Sequence, residues 1–291
     1  GYAELKLQMH CSFKEIKPLC KLGIFQTGTQ VLDYISTKID IIILGKLLGT
    51  YDLGLYNLAK ELILRAIDVL NGIANKVALP YFVQMQNSHE TLRRNYCKLM
   101  RLLSSVNIPV CAMIGALSIP IVDIIYGTNY AEVAPILSIL SVWGMFVVVG
   151  NPVSNIIIST GNTKISFKYT MLRLIIFIPG TLMFSYISLV ALSFGQIILA
   201  VFGYILSWYM LLYKTIALDF IAYVKSMKNS FIFFLFTVIA CYTLTSWLCG
   251  RMNNTYTVYV ITAILYVLLS LLYFFVIDRK YILSFFKEKI K

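Results

Sequence analysis

Residues 133–158 read VAPILSILSVWGMFVVVGNPVSNIII and contain no charged side chain. A stretch of about 18 or more such residues is long enough for an α-helix to cross the hydrocarbon of a bilayer. Other uncharged apolar runs occur along the chain, for example at residues 230–250 and 256–277. The sequence therefore predicts a protein embedded in a membrane over most of its length, rather than a soluble domain with one anchor.

The overall composition agrees with this prediction. Of the 291 residues, 59% are hydrophobic and 13% are charged, and the mean hydropathy is +0.80. A soluble domain is nearer half apolar and a quarter charged. We therefore predict an all-α membrane protein with about eight transmembrane helices, near residues 20–46, 53–85, 96–126, 131–160, 165–187, 189–213, 230–250 and 256–277.

The basic residues are concentrated in alternate connecting segments. The net charge is +12, and most Lys and Arg residues fall in residues 1–21 and 278–291 or in the loops after the second, fourth and sixth helices, with Arg173 assigned to the fourth-helix loop. The opposite side has only Lys46 and Arg251. Because cytoplasmic loops concentrate Lys and Arg, both termini are predicted to be cytoplasmic, and the charge needs no nucleic-acid partner.

Residues 214–229 are too polar to span the membrane. Apolar residues recur there at helical spacing, with Lys225 and Lys228 beside them. We predict an amphipathic helix along the inner surface of the membrane, with a solvated loop as the alternative.

The first two predicted helices carry charged side chains, which are rare inside membrane helices and usually face protein or water. At about 100° per residue, the polar residues of each helix fall on one line. The first line comprises Gln26, Thr29, Gln30, Asp33, Ser36, Thr37 and Asp40, and the second comprises Asn57, Glu61, Arg65, Asp68, Gly72, Asn75 and Lys76. Two such neighbouring faces indicate a hydrated cavity between these helices and others. Lys38 and Lys60 lie off both lines, where they could snorkel or pair elsewhere.

The cationic side chains on these lines suit the binding of an anionic headgroup of a transported molecule. Arg65 is the first candidate for phosphate because its planar guanidinium allows bidentate contact, and Lys76 is the second. Four carboxylates could take a proton or a sodium ion in a coupled cycle: Asp33, Asp40, Glu61 and Asp68. The alternative interpretation is structural, since Glu61 and Asp68 are both close enough along the helix to pair with Arg65.

No signature of catalysis is recognisable. His10 and His89 are the two histidines, and both fall in segments predicted to be cytoplasmic. The sequence has no P-loop, nucleophile elbow or metal-spaced cluster. We therefore expect no enzymatic activity, no resident cofactor and no metal site.

Residues 40–59 read DIIILGKLLGTYDLGLYNLA, with three glycines around a predicted tight hairpin. This run resembles the polysaccharide-flippase branch of the multidrug/oligosaccharidyl-lipid/polysaccharide exporter superfamily. Pro80 and residues 125–127 (IYG), 134–137 (APIL) and 161–163 (GNT) fit the same pattern. The match runs through about residues 20–215 as a set of motifs.

The resemblance implies two six-helix lobes around a central cavity, with alternating access by rocking of one lobe against the other. This chain would supply the C-terminal lobe at residues 20–213, after an inter-lobe linker at residues 1–19. The remaining segments would be the surface helix at 214–229, two extra transmembrane helices at 230–277 and a basic cytoplasmic tail at 278–291. The missing N-terminal lobe would be a required partner.

The function implied is a flippase of the bacterial cytoplasmic (inner) membrane. It would move undecaprenyl-pyrophosphate-linked oligosaccharides outward for surface polysaccharides such as lipopolysaccharide O-antigen, while the lipid tail stays in the bilayer. A multidrug exporter of the same superfamily is the near alternative. A protein that transports a cationic drug should carry carboxylates without paired cations, whereas here Arg65 and Lys76 lie on the same polar line. A membrane-embedded polysaccharide polymerase should show a large outer loop, and a non-transporting membrane partner subunit is compatible with a single lobe.

Overall fold

The computed structural model describes residues 13–83, 89–251 and 254–273, and every regular element in these ranges is a helix. In chain order the helices are α1 (Phe13–Leu47), α2 (Thr50–Val83), α3 (His89–Ala116), α4 (Ser118–Tyr126), α5 (Val133–Ser159), α6 (Thr163–Ser185), α7 (Leu189–Ser207), α8 (Lys214–Ile216), α9 (Phe220–Lys225), α10 (Lys228–Cys249) and α11 (Thr255–Tyr273). A 3₁₀ turn at Thr128–Tyr130 precedes α5, and a π-helical turn at Trp208–Tyr213 joins α7 to α8.

Six helices in the described part of the chain are long and apolar enough to cross a membrane. They are α3, α5, α6, α7 with its extension to Ile216, α10 and α11. α1 and α2 are longer, with 35 and 34 residues, but they carry the charged residues of the two polar lines. The prediction of an all-α membrane protein is confirmed, and each predicted helix has a counterpart, although hydropathy marks six spans where about eight were predicted.

The predicted helix at residues 96–126 is broken in two. α3 ends at Ala116, and α4 begins at Ser118 after Leu117, whose backbone (φ −103°, ψ 24°) is not helical. Pro120 is the physical reason. It has no N–H to donate to the carbonyl of Ala116, and its ring would collide with that carbonyl in a continuous helix.

The predicted surface helix at residues 214–229 is also interrupted. The chain runs from the π-helical turn into α8, and Ala217 then adopts a left-handed conformation (φ 50°) that ends the helix. α9 restarts with the Asp219 side chain accepting a hydrogen bond from the Ile221 N–H. Ile216 and Tyr223 are buried and attach these two short pieces to the bundle. Their place at the inner membrane surface stays a prediction.

α5 is the centre of the bundle. It packs against α2, α3 and α7, and α3 packs in turn against α10. Leu137, Leu140 and Ile156 of α5 are fully shielded from solvent. α1 instead packs against α6. It contacts α2 in few places besides the tight hairpin at Gly49 (φ 91°). A space therefore remains between the α1–α6 pair and the α2–α5 pair.

α10 and α11 lie at the edge of the bundle. α10 contacts α3, and α11 contacts chiefly α10. Leu268 and Leu272 of α11 and Phe236 of α10 are exposed apolar side chains. This is the surface that a lipid-facing helix pair should present.

Gly144 sets the distance between α5 and α2. A Cβ at this position would lie 2.8 Å from Ile63 Cγ2 and 3.6 Å from Cys111 Sγ. We predict that Gly144→Ala lowers the free energy of unfolding in detergent by about 1–3 kcal/mol, the usual cost of overpacking a core. Gly150→Ala is the matched control, because a Cβ there meets no atom within 4 Å. Equal stability of the two variants would contradict this packing.

Candidate functional site

A cavity of about 470 Å³ lies inside the bundle, between α1, α2, α5, α6 and α7. We call it the bundle cavity. All seven residues of the first polar line contribute to its wall: Gln26, Thr29, Gln30, Asp33, Ser36, Thr37 and Asp40. The other helices contribute, among others, Lys60, Trp143, Tyr169, Arg173, Gln196 and Tyr204. The predicted polar face of α1 is therefore one side of a polar space within the bundle.

Asp40 and Lys60 form an ion pair at the buried end of the bundle cavity. Lys60 Nζ lies 2.5 Å from Asp40 Oδ2, and the two side chains are 3% and 1% exposed. Lys60 Nζ also donates to the Thr37 carbonyl at 2.8 Å, while the Tyr56 hydroxyl and the Ile41 N–H donate to the Asp40 carboxylate at 2.7 and 2.9 Å. Both charges are thus satisfied by short, charge-assisted hydrogen bonds.

The hairpin between α1 and α2 places these two residues opposite each other. Asp40 and Lys60 are equally distant in sequence from Thr50, where α2 begins. Because two α-helices rise equally per residue, equal distances from the turn give equal heights. By its position in the sequence Lys60 could snorkel or pair, and the structure shows that it pairs with Asp40. Its symmetry with Asp40 about the hairpin is the signal that identifies the partner.

Asp33 and Arg173 form a second ion pair nearer to solvent. Arg173 Nη2 lies 2.9 Å from Asp33 Oδ1, and the two side chains are 31% and 47% exposed, respectively. The guanidinium also lies 5.9 Å from the centre of the Tyr169 ring. The assignment of Arg173 to a cytoplasmic loop is therefore wrong. It belongs to α6, where the Asp33 carboxylate on α1 compensates its charge.

The described side chains of the second polar line do not line the bundle cavity. Asn57, Arg65 and Asp68 are exposed, and Glu61 is partly exposed. We call these four residues the α2 strip. Ile63 on the other side of α2 is fully buried and faces Gly144 of α5. Burial of that apolar face turns the polar one outward.

Among the described residues, the two polar lines do not border the bundle cavity together. The first line borders the bundle cavity, and the α2 strip forms a surface beside it. Within the strip, Arg65 Nη2 lies 3.0 Å from Glu61 Oε1, and these side chains are 78% and 43% exposed. The side chains of Asn75 and Lys76 lie outside the part of the chain that the structure describes.

Two buried polar groups in the bundle cavity have no hydrogen-bond partner among the described residues. They are Ser36 Oγ and Gln196 Nε2, on side chains that are almost wholly buried. Buried polar groups are normally hydrogen-bonded, so each marks a place for water or a ligand. Gln196 was not among the predicted site residues. The available signal was its position as an isolated amide in the apolar sequence of α7.

Sequence comparison identifies related proteins. Residues 1–135 match a family described as "Polysaccharide biosynthesis protein". The chain is 25% identical over 245 residues to the lipopolysaccharide biosynthesis protein WzxC of Escherichia coli. The aligned region covers 84% of this chain and 50% of WzxC. It is 29% identical over 189 residues to the amylovoran biosynthesis protein AmsL of Erwinia amylovora. This aligned region covers 63% of this chain and 49% of AmsL. The chain spans about half the length of the curated relatives it matches.

A solved structure shares the fold. It is that of the lipid II flippase MurJ in an inward closed conformation, with a TM-score of 0.68 and 15% sequence identity. The match covers 96% of this chain and 58% of MurJ. At this level of identity the likeness concerns the fold.

The pair formed by Asp40 and Lys60 yields a stability prediction. Lys60→Met leaves the Asp40 carboxylate buried without its cation, and we expect the free energy of unfolding in detergent to fall by about 3–5 kcal/mol. Adding Asp40→Asn should recover much of this loss, because no uncompensated charge remains. Arg65→Met is the control, since an exposed ion pair contributes about 1 kcal/mol or less. A loss for Lys60→Met no larger than that for Arg65→Met would contradict the buried pair.

Proposed function

We propose that this chain, which belongs to the polysaccharide branch of the multidrug/oligosaccharidyl-lipid/polysaccharide exporter superfamily, forms one lobe of a flippase for lipid-linked oligosaccharides. The flippase moves pyrophosphate-linked sugar repeat units across the bacterial cytoplasmic membrane for the assembly of surface polysaccharide. The α2 strip is the observation that carries the proposal. Relatives named for lipopolysaccharide and amylovoran biosynthesis support the substrate class.

The α2 strip needs water or protein beside it. A charged side chain at the centre of a bilayer costs at least about 2.5 kcal/mol when it faces lipid. Elsewhere the same bundle exposes apolar side chains such as Ile175 and Met183 of α6, which suit contact with acyl chains. We therefore place the α2 strip on an aqueous passage. In this proposal a second lobe supplies the opposite wall, in keeping with a chain that spans about half the length of its relatives.

Arg65 is the residue that we assign to the pyrophosphate. Its guanidinium is 78% exposed and is held by Glu61 of the same helix. An exposed pair of this kind is weak, whereas a phosphate accepts two parallel hydrogen bonds from a guanidinium. A pyrophosphate in the passage can therefore displace Glu61 from Arg65. The polar headgroup then crosses along the strip while the lipid tail stays in the bilayer.

The carboxylates of α1 favour this substrate over the cations of a multidrug exporter. Asp40 is compensated by Lys60, and Asp33 is compensated by Arg173. Each carboxylate of the bundle cavity already has a side-chain cation beside it. Neither carries an uncompensated negative charge that would attract an organic cation. We keep coupling to a proton or a sodium ion within the proposal, with the carboxylates of Asp33, Asp40, Glu61 and Asp68 as the groups that could take it up.

The role of Arg65 can be tested by substitution in the export-competent protein that contains this chain. Arg65→Ala should reduce transport of the lipid-linked oligosaccharide by about ten-fold or more, because a charge-assisted contact with phosphate is lost. Arg65→Lys should retain part of the activity through its charge. Transport is measured as the appearance of the glycan on the outer face, with the amount of protein in the membrane recorded in parallel.

Arg251→Ala is the matched control. Arg251 is another exposed arginine, but it lies against the Trp247 ring beyond the end of α10, far along the chain from the α2 strip. We expect transport close to that of the wild type. Normal transport in Arg65→Ala would remove Arg65 from the passage and would favour a non-transporting role for this chain.

A further inference from the structure

We infer that the bundle cavity binds a sugar unit of the transported glycan. The inference rests on the proposed function and divides the headgroup between two neighbouring places. The α2 strip receives the pyrophosphate, and the bundle cavity beside it receives part of the oligosaccharide. Volume, charge balance and open hydrogen-bonding groups each lead to this assignment.

The volume of the bundle cavity suits a small polar molecule. Its value of about 470 Å³ lies within the roughly 300–1,000 Å³ that is usual for small-molecule sites. The cavity offers room for a sugar unit rather than for a whole lipid-linked oligosaccharide.

The charges in the bundle cavity favour a neutral ligand. The charged residues in its wall are two carboxylates and two cations, and they form the pairs Asp33–Arg173 and Asp40–Lys60. A phosphate or a free cation would have to displace one member of a pair, and this is most costly at the buried end, where Asp40 and Lys60 are shielded from solvent. A neutral polyhydroxyl compound binds without displacing either.

The open polar groups match sugar hydroxyls. Ser36 Oγ can donate and accept, and Gln196 Nε2 donates; neither has a partner within the described ranges. Gln26 and Gln30 bring two further amides from α1 to the same space. Hydroxyls of a sugar ring both donate and accept, so they can pair with either an amide or a hydroxyl side chain of this set.

Aromatic rings complete the wall of the bundle cavity. Trp143, Tyr169 and Tyr204 line it from α5, α6 and α7. Small-molecule sites commonly combine aromatic surface with a few placed polar groups. The carbon-bound hydrogens on the face of a sugar ring can pack against such rings while its hydroxyls meet the polar side chains.

The bundle cavity adjoins the α2 strip along one helix. Lys60 and Leu64 line the cavity, and Glu61 and Arg65 follow them directly in sequence. One residue turns the side-chain direction by about 100°, so the cavity and the strip occupy adjacent faces of α2. A pyrophosphate at Arg65 therefore holds its first sugars near the cavity.

The test compares two ligands on the purified transporter that contains this chain. One ligand is the isoprenyl pyrophosphate carrying its repeat-unit glycan, and the other is the same isoprenyl pyrophosphate without sugar. Gln196→Leu should weaken binding of the glycosylated lipid by about ten-fold, as expected for a lost hydrogen bond in a buried site. Binding of the sugar-free lipid should be unchanged. Arg65→Ala should weaken the binding of both ligands.

Thr181→Val is the matched control for Gln196→Leu. The Thr181 hydroxyl is equally buried and has no hydrogen-bond partner in the described part of the chain, but it does not line the cavity. Both ligands should bind this variant as they bind the wild type. Selective loss of glycan binding in Thr181→Val would overturn the inference, because burial alone would then explain the effect.

A second variant keeps the test decisive if Gln196→Leu fails to fold. Gly150 lines the cavity, and a Cβ there meets no atom within 4 Å, so Gly150→Leu projects into the space that the sugar would occupy. It should weaken the glycosylated lipid selectively, whereas Gly150→Ala should not. Unchanged glycan binding in the folded cavity variants overturns the sugar site alone. A wild-type transporter that binds neither lipid refutes the proposed function as well.

Discussion

Hydrocarbon does not solvate charge, and this constraint decides where the ionisable side chains of α1 and α2 lie. A charge inside an apolar bundle needs an opposite charge with hydrogen bonds, and a charge on its surface needs water or protein. Asp40 and Lys60 meet the first requirement with side chains that are 1% and 3% exposed. Arg65 and Glu61 are exposed beside each other and require the second. The site follows from this division.

The same constraint explains how a polar cavity survives in the bundle. α1 packs on α6 and α2 packs on α5, so the two helices of the hairpin diverge with distance from the turn at Gly49. An apolar gap of this kind would close by packing. Here Asp40 of α1 pairs across the gap with Lys60 of α2, and Asp33 of α1 pairs with Arg173 of α6 on the same side of the gap. The polar side chains around these pairs favour water or a polar ligand over closure.

Much of the fold could be predicted from the sequence, because apolar runs report directly on membrane helices. The uncharged run that became α5 is the most central helix of the bundle. The break at Leu117 was missed because a proline early in a helix and a proline at a kink look alike in sequence. Pro120 ends one helix and lies in the first turn of the next.

The residues that line the bundle cavity were predictable only where the spacing of polar side chains along a single helix identifies them. Helical spacing alone placed the polar face of α1 on one line, and that face borders the bundle cavity. Arg173 and Gln196 reach the same cavity from α6 and α7. Their position depends on which helices pack together, and helical periodicity carries no information about that. Lys60 is intermediate, because the symmetry of the hairpin identifies its partner.

The two ion pairs differ in strength, and this difference gives the bundle cavity a fixed end and an adjustable end. The Asp40–Lys60 pair is shielded and tied to Thr37 and Tyr56, so that separating it would strand a buried charge. The Asp33–Arg173 pair is partly hydrated, and separation there lets water replace each partner. A ligand that enters from the Asp33 side therefore meets side chains that can rearrange before it reaches side chains that cannot. Such an order suits a site that must admit a sugar and release it again.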